Sequence, residues 1–121
     1  MTNQLIIKIV LDAWHSKVKE ADGIIDKLTD EQLQNEVAPG RNRGIYLLGH
    51  LTAVNDMMLP LLSLGEQNYP QLTESFINNP DKPEAQLTSA KELRQYWKTS
   101  NLILADRFKN LKPDEWFQKH N

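Results

Sequence analysis

The sequence of 121 residues contains no cysteine. The chain therefore has no disulfide framework, no thiolate ligand for zinc or an iron–sulfur cluster, and no thiol chemistry of its own. It also lacks a strong excess of either charge, since 14 Lys and Arg stand against 16 Asp and Glu, for a net charge of −2. This balance gives no basic footprint for nucleic acid and no polybasic segment for an anionic membrane.

A long uninterrupted apolar run is absent as well. Lys8 breaks the N-terminal apolar residues, and neither a positive n-region nor a small-residue cleavage site accompanies them, so no secretory signal is predicted. Residues 45–64 form the most apolar stretch, but His50, Asn55 and Asp56 interrupt it. A transmembrane span of about 20 residues rarely carries such groups. We therefore expect a cytoplasmic protein without a membrane segment.

What the sequence does contain is a helical hydrophobic period in three long segments. In each, apolar residues recur at steps of three and four, which is typical of an amphipathic helix, and no segment shows clear β alternation. An all-α fold is predicted, with one helix over residues 3–27, a second beginning near Arg43 and a third beginning after Ser89. The stripe residues are Ile7, Val10, Leu11, Trp14, Val18, Ala21, Ile25 and Leu28, then Leu47, Leu51, Val54, Met58 and Leu61, then Leu93, Trp97, Ser100, Leu104, Phe108 and Leu111.

Local signals predict where the helices begin and end. Residues 29–32 and 89–92 have the spacing of capping boxes, which start helices. Pro60 lies inside the second apolar pattern and predicts a kink or local break, because it cannot donate to the carbonyl four residues back. Gly65 is the expected C-terminal cap of that helix.

The connection between the second and third helices, residues 66–86, contains three prolines. Antiparallel neighbours need connections of only about 2–8 residues. The length therefore predicts a crossover that makes the second and third helices parallel. Within it, Pro70 is expected to open a short helix through Leu72, Phe76 and Ile77.

Three long helices and one crossover, with no fourth helix before Asn121, predict an incomplete four-helix bundle. A complete three-helix bundle is the alternative. In the first interpretation, residues 1–121 form a single domain that lacks its C-terminal helix.

Residues 44–56, GIYLLGHLTAVND, resemble the second helix of the DinB/YfiT-like superfamily, in which an apolar run leads to a His-Leu or His-Ile pair. The helix before it, the long crossover and the helix after it agree in order and length, so the resemblance covers the whole chain. It implies an up-down-down-up four-helix bundle with three of its long helices present. It also implies a metal-dependent enzyme of the thiol transferase or hydrolase type, acting on a small-molecule substrate.

The resemblance implies one metal ligand in this chain, His50. Family members hold a divalent metal with one His of the second helix and a His-x-x-x-His pair of the fourth, and residues four apart share a helix face. No position here matches that pair, since His15 and His120 do not form one. Because one imidazole cannot hold zinc or nickel tightly against water, we expect the metal to be absent or weakly bound in this chain and the enzyme to be inactive or incomplete. The catalytic residues are left unknown.

Other polar residues have two interpretations each. His15 lies beside Trp14 at the border of the first stripe and is either a surface histidine or part of a pocket, whereas His120 lies near the terminus and is expected to be inert. Arg41 and Arg43 precede the second helix and could bind a carboxylate or phosphate there, or simply be solvated loop charges.

Two polar residues follow His50 by one helical turn. Asn55 and Asp56 could orient His50 or a bound water, although for Asp56 a solvated charge is the expected role. The three tryptophans fall at stripe or turn positions, which favours core packing.

A second functional hypothesis is non-catalytic. Three stripes without a fourth helix would expose a contiguous apolar groove, and such surfaces mark interfaces. Homodimerisation would cover it economically. Residues Leu47, Leu51, Trp97 and Leu104 would then partly face another copy.

Overall fold

A computed structural model of the chain describes residues 2–82 and 86–116. Within these ranges the long helices are α1 (Asn3–Lys27), α3 (Gly44–Leu61) and α4 (Ala90–Asn110), and the single-turn helices are α2 (Asp30–Leu33) and α5 (Pro113–Trp116). A π-helical segment, Glu74–Asn78, lies in the connection between α3 and α4. In the described part of the chain the one β feature is an isolated bridge between Glu36 and Arg43, which confirms the all-α prediction.

The starts of the helices agree with the local signals. At α2 the capping box is complete, because Gln32 N–H donates to Thr29 Oγ1 (3.1 Å) and Thr29 N–H donates to Gln32 Oε1 (2.8 Å). At α4 the box is half formed: Glu92 N–H donates to Ser89 Oγ (3.2 Å), while the Glu92 carboxylate accepts from the Ser89 hydroxyl instead of its N–H. Each start thus satisfies a backbone donor that the helix itself leaves unpaired.

The end of α3 differs from the prediction. The residue in the left-handed region is Ser63, with φ 59°. Ser63 N–H donates to Pro60 O (3.1 Å) and Leu64 N–H donates to Leu59 O (2.7 Å), which is the Schellman pattern. The prediction that Gly65 caps the helix was wrong. Ending at Ser63 brings Leu64 into the same apolar cluster as Leu59, and this contact favours the earlier cap.

The crossover lies on α3 through its own apolar residues. The short helix predicted from Pro70 is a turn at residues 70–73 followed by the π-helical segment, and Leu72 and Phe76 are both buried. The Phe76 ring lies directly on Gly49 of α3, where an added Cβ would overlap it. Gly49 therefore allows the crossover to approach the helix closely.

The core consists of two apolar clusters. The larger joins the C-terminal end of α1 to the N-terminal halves of α3 and α4, and the smaller joins Leu11 and Trp14 of α1 to the C-terminal halves of α3 and α4. α3 and α4 are therefore parallel, as predicted, and α1 is antiparallel to both. Polar residues lie between the clusters in the middle of α3 and α4 and are buried: Thr52, Asp56, Ser100 and Asn101.

The helices differ in how much of their surface is covered. α3 and α4 pack closely against each other, whereas α1 has one buried residue, Ile25, in its 25 residues. None of the helices in the described residues combines the length and the apolar content needed to cross a membrane.

Candidate functional site around His50

His50 is half-buried on α3 and is held by the crossover. Its Nδ1 lies 2.8 Å from the carbonyl oxygen of Phe76, in the π-helical segment. Because a carbonyl only accepts, Nδ1 must carry the proton, and the neutral ring keeps its lone pair on Nε2. No group in the described part of the chain hydrogen-bonds Nε2. The ring is therefore fixed in one tautomer, with Nε2 as the available nitrogen.

Tyr46 supports this arrangement from one turn earlier. Residues four apart share a helix face, so Tyr46 and His50 both point toward the crossover. The Tyr46 hydroxyl donates to Asn79 O at 2.6 Å, and the Tyr46 and His50 rings stack with centroids 6.4 Å apart. The two side chains together attach the end of the π-helical segment to α3.

The described residues do not form a three-ligand metal group around His50. No group of three or more His, Asp or Glu that could hold a metal ion is found in residues 2–82 and 86–116. His15 lies on α1, and His120 lies outside the described residues.

Asp56 is buried and has a structural partner. Its carboxylate accepts from the backbone N–H groups of Asn68 (2.8 Å) and Tyr69 (2.7 Å). The expectation of a solvated charge was wrong, because the crossover returns over α3 with two N–H donors that need buried acceptors. Since both carboxylate oxygens are used there, Asp56 does not orient His50.

Asn55 also points away from His50. Its Nδ2 donates to Asn101 Oδ1 (2.8 Å) and lies 3.3 Å from Ser100 Oγ, both on α4. The interpretation that Asn55 orients the histidine is therefore not supported by the geometry. Its role is to connect α3 and α4 through the buried polar layer.

Arg43 binds a carboxylate of its own chain. Arg43 Nη2 donates to Asp81 Oδ1 (2.8 Å), Nε donates to Oδ2 (3.1 Å), and the Arg43 backbone N–H donates to Oδ2 (2.9 Å). The side chains are 13% and 5% exposed, so the pair is largely shielded from solvent. The guanidinium holds the pKa of the Asp81 carboxyl below its ordinary value, against the opposing effect of burial. Arg41 remains exposed in the same loop.

The tryptophans confirm the prediction of core packing. Trp97 is buried, and its Nε1–H donates to Asp22 of α1 at 2.5 Å. Trp14 and Trp116 pack on Phe108, with ring centroids 5.2 Å and 5.4 Å apart.

An uncovered apolar strip runs along α3 beside His50. Its members are spaced by four, three and seven residues and are between 38% and 54% exposed; they are Leu47, Leu51, Val54 and Leu61, here called the open face of α3. Between this face and α1 lies an apolar groove of about 220 Å³. Trp97 and Leu104 are buried, so the prediction that they also face another copy was wrong: they fill the space between α4 and its neighbours in the same chain.

A second groove lies between α1 and α4 and includes a residue that the sequence analysis did not single out. Asn101 is buried there, and its Nδ2 is, among the described residues, the buried side-chain polar atom without a hydrogen-bond partner. The sequence signal for its burial was its spacing, four residues after Trp97 and three before Leu104. This spacing puts Asn101 on the apolar stripe of α4, and a residue on that stripe is buried with it. His15 lies exposed at the same groove, beside Trp14.

A comparison of the sequence with known protein families gives no match, and a comparison with curated proteins gives none either. The DinB-like resemblance stays a prediction from the sequence.

Proposed function

We propose that this chain is a DinB-like helical-bundle protein in which His50 occupies the first ligand position of a divalent metal site, for zinc or nickel. The observation that carries the proposal is the bond between His50 Nδ1 and Phe76 O. A metal-binding histidine usually has its other ring nitrogen held by a carbonyl or carboxylate, which fixes the tautomer and the ring orientation. His50 has this arrangement, and it borders the open face of α3.

The proposed site is incomplete in the described chain. The family resemblance implies three imidazoles, and residues 2–82 and 86–116 contribute only His50 to such a group. The two further ligands would have to come from an additional helix that packs against the open face of α3. Thiol transferase or hydrolase activity on a small-molecule substrate, at the cytoplasmic location expected from the sequence, would require all three ligands.

Titration with Ni²⁺, followed by NMR, tests the ligand position. We expect weak, reversible binding that broadens the signals of His50 and its neighbours, because one imidazole binds the ion without the help of a chelate. His50→Ala should abolish this broadening, whereas the matched variant His15→Ala should leave it unchanged. Equal broadening around both histidines, or its survival in His50→Ala, would refute the assignment.

A second candidate function is non-catalytic self-association through the open face of α3. Leu47 and Leu51 are 38% and 43% exposed although they lie at stripe positions, and the adjoining groove is lined by apolar side chains of α1 and α3. A two-fold dimer would place this face of one copy against the same face of the other. It would bury the strip without any metal.

Light scattering over a range of concentrations distinguishes this candidate. We expect a homodimer that Leu51→Lys converts to a monomer, while Leu102→Lys on the solvent side of α4, where Leu102 is 72% exposed, leaves it dimeric. A wild-type chain that stays monomeric at about 100 μM, a concentration at which specific dimers normally form, excludes it.

A further inference from the structure

The groove between α1 and α4 is separate from the His50 site. It has a volume of about 380 Å³, within the range of small-molecule pockets, and His50 is not part of its lining. The residues that line it include aromatic, charged and amide side chains: Trp14, His15, Asp22, Asp26, Lys98 and Asn101.

Asn101 gives this groove a polar group in need of a partner. The residue is 8% exposed, and its Oδ1 accepts from Asn55 while its Nδ2 has no partner. If the nitrogen and oxygen of the Asn101 amide are exchanged, one of these two atoms still lacks a partner, because Asn55 hydrogen-bonds only one of them. Across the groove α1 offers acceptors in His15, Asp22 and Asp26, but none of them bonds Asn101 Nδ2. Buried polar groups are normally paired, so the orphaned Nδ2, which lies just behind the groove surface, is a candidate contact for a ligand.

The charged groups disfavour an anionic ligand, because two carboxylates, Asp22 and Asp26, and only one cation, Lys98, are among the residues that line the groove. Asp22 accepts the Nε1–H of Trp97 at 2.5 Å and is only partly buried, so it can accept a further hydrogen bond. Asp26 and Lys98 form an exposed pair at 3.6 Å, which leaves little excess positive charge in the groove. A carboxylate or phosphate would meet the negative charge of Asp22 without a compensating cation. A neutral group that both accepts and donates would find a partner for each function.

We propose that the α1–α4 groove binds a neutral aromatic amide. The carbonyl oxygen of the ligand accepts from Asn101 Nδ2, its N–H donates to the carboxylate of Asp22, and its ring packs against Trp14. Since Asn101 Nδ2 is shielded from solvent, the ligand enters by a small outward movement of α1. The packing of this helix allows such a movement, because only Ile25 of α1 is buried.

Benzamide is the probe, with benzoate and toluene as its charged and apolar analogues. We expect benzamide to shift the NMR signals of Trp14 and Asn101 with a Kd of about 1 mM, a usual value for a ligand of this size. Benzoate and toluene should bind at least about tenfold more weakly, because benzoate lacks the N–H and adds a negative charge, and toluene lacks both the carbonyl and the N–H. His50→Ala should leave benzamide binding unchanged, so the result is independent of the proposed metal site.

The decisive variant is Asn101→Leu, which removes the proposed donor, Nδ2, together with the rest of the amide. It should bind benzamide about tenfold more weakly, while Asn110→Leu, at an exposed asparagine of the same helix, should not change the affinity. If Asn101→Leu does not fold, Asn101→Asp replaces the donor by an acceptor at nearly constant shape and should show the same loss. Unchanged binding in the folded variant, equal affinity for toluene or benzoate, or no benzamide binding at about 10 mM would each overturn the proposal.

Discussion

The α3–α4 pair and α1 differ sharply in burial although all three helices carry an apolar stripe. α3 buries eight of its 18 residues and α4 seven of its 21, whereas α1 buries one of 25. The difference teaches that a stripe shows which side of a helix is available for packing, and that the neighbouring elements decide how much of it is covered.

Polar contacts compensate for the sparse packing of α1, and they lie at its C-terminal end. Arg94 of α4 donates to Ile25 O (2.8 Å) and Leu28 O (2.6 Å), which lie at and just beyond the last turn of α1. Trp97 adds its bond to Asp22 one turn earlier. α1 is thus attached to α4 by hydrogen bonds at its C-terminal end and, further toward its N-terminus, by the contact between the Trp14 and Phe108 rings.

The largest expected effect comes from comparing a leucine-to-alanine substitution in α4 with one in α1. Leu104→Ala in α4 should lower the free energy of unfolding by about 3–4 kcal/mol, because Leu104 is fully buried and the change leaves a cavity. Leu5→Ala in α1 should lower it by less than about 1 kcal/mol, because Leu5 is largely exposed. Urea denaturation measures both. Equal losses would show that α1 is packed as tightly as α4.

Two glycine substitutions give the next largest contrast. Gly49→Ala should destabilise the protein by about 2–3 kcal/mol, because its Cβ would overlap the Phe76 ring. Gly23→Ala in α1 meets nothing within 4 Å and should stabilise the protein by about 0.5–1 kcal/mol, since alanine favours the helix. Thermal and urea unfolding report both signs. A neutral Gly49→Ala variant would mean that the crossover can move away from α3 without loss.

The Arg43–Asp81 pair provides a pH-dependent test of the crossover. Asp81→Asn should lower stability by about 1–2 kcal/mol at pH 7, because it leaves the partly buried guanidinium without its counter-ion. The folded-state pKa of Asp81 lies below its ordinary value of 3.8, so its stabilisation is present above that value and is lost as the pH falls through the folded-state pKa. The wild type and the variant should therefore converge in stability below pH 3.8. A constant difference across that window would contradict this assignment.

The smallest expected difference between two matched variants concerns two carboxylates one turn apart on α1. Asp22→Ala should cost about 1–2 kcal/mol, because it leaves the buried Nε1–H of Trp97 without a partner. Asp26→Ala should cost less than about 0.5 kcal/mol, since its pair with Lys98 is exposed. Unfolding curves and the fluorescence of Trp97 distinguish the two. Equal losses of stability in the two variants would show that the hydrogen bond between Trp97 and Asp22 adds nothing beyond the charge of the carboxylate.

The helices were predictable because their signals are local. The apolar period placed all three long helices, and the capping residues at Thr29 and Ser89 placed two of the helix starts. The length of the connection correctly predicted that α3 and α4 are parallel. The hypothesis that His50 is a ligand came from the family resemblance and stays a prediction.

The partners of the polar residues were not predictable, because most of them are distant backbone groups. His50 bonds Phe76 O, Asp56 bonds the N–H groups of residues 68 and 69, and Arg43 bonds a carboxylate 38 residues later. A residue pattern shows that a side chain is polar but does not show which loop will cross it. Asp56 was assigned to solvent for this reason.

The contacts of the crossover with α3 have a consequence for the order of folding. The hydrogen bonds between α3 and the crossover join residues that are 12 to 38 positions apart in the sequence; they involve Asp56, His50, Tyr46 and Arg43. The bonds between Asn55 and α4 join residues up to 46 positions apart, and those between α1 and α4 join residues up to 75 positions apart. Loop-closure entropy rises with the length of chain enclosed, so the shorter loops close at lower cost. We expect α3 and its crossover to form the first ordered unit, α4 to join it next, and α1 to dock last.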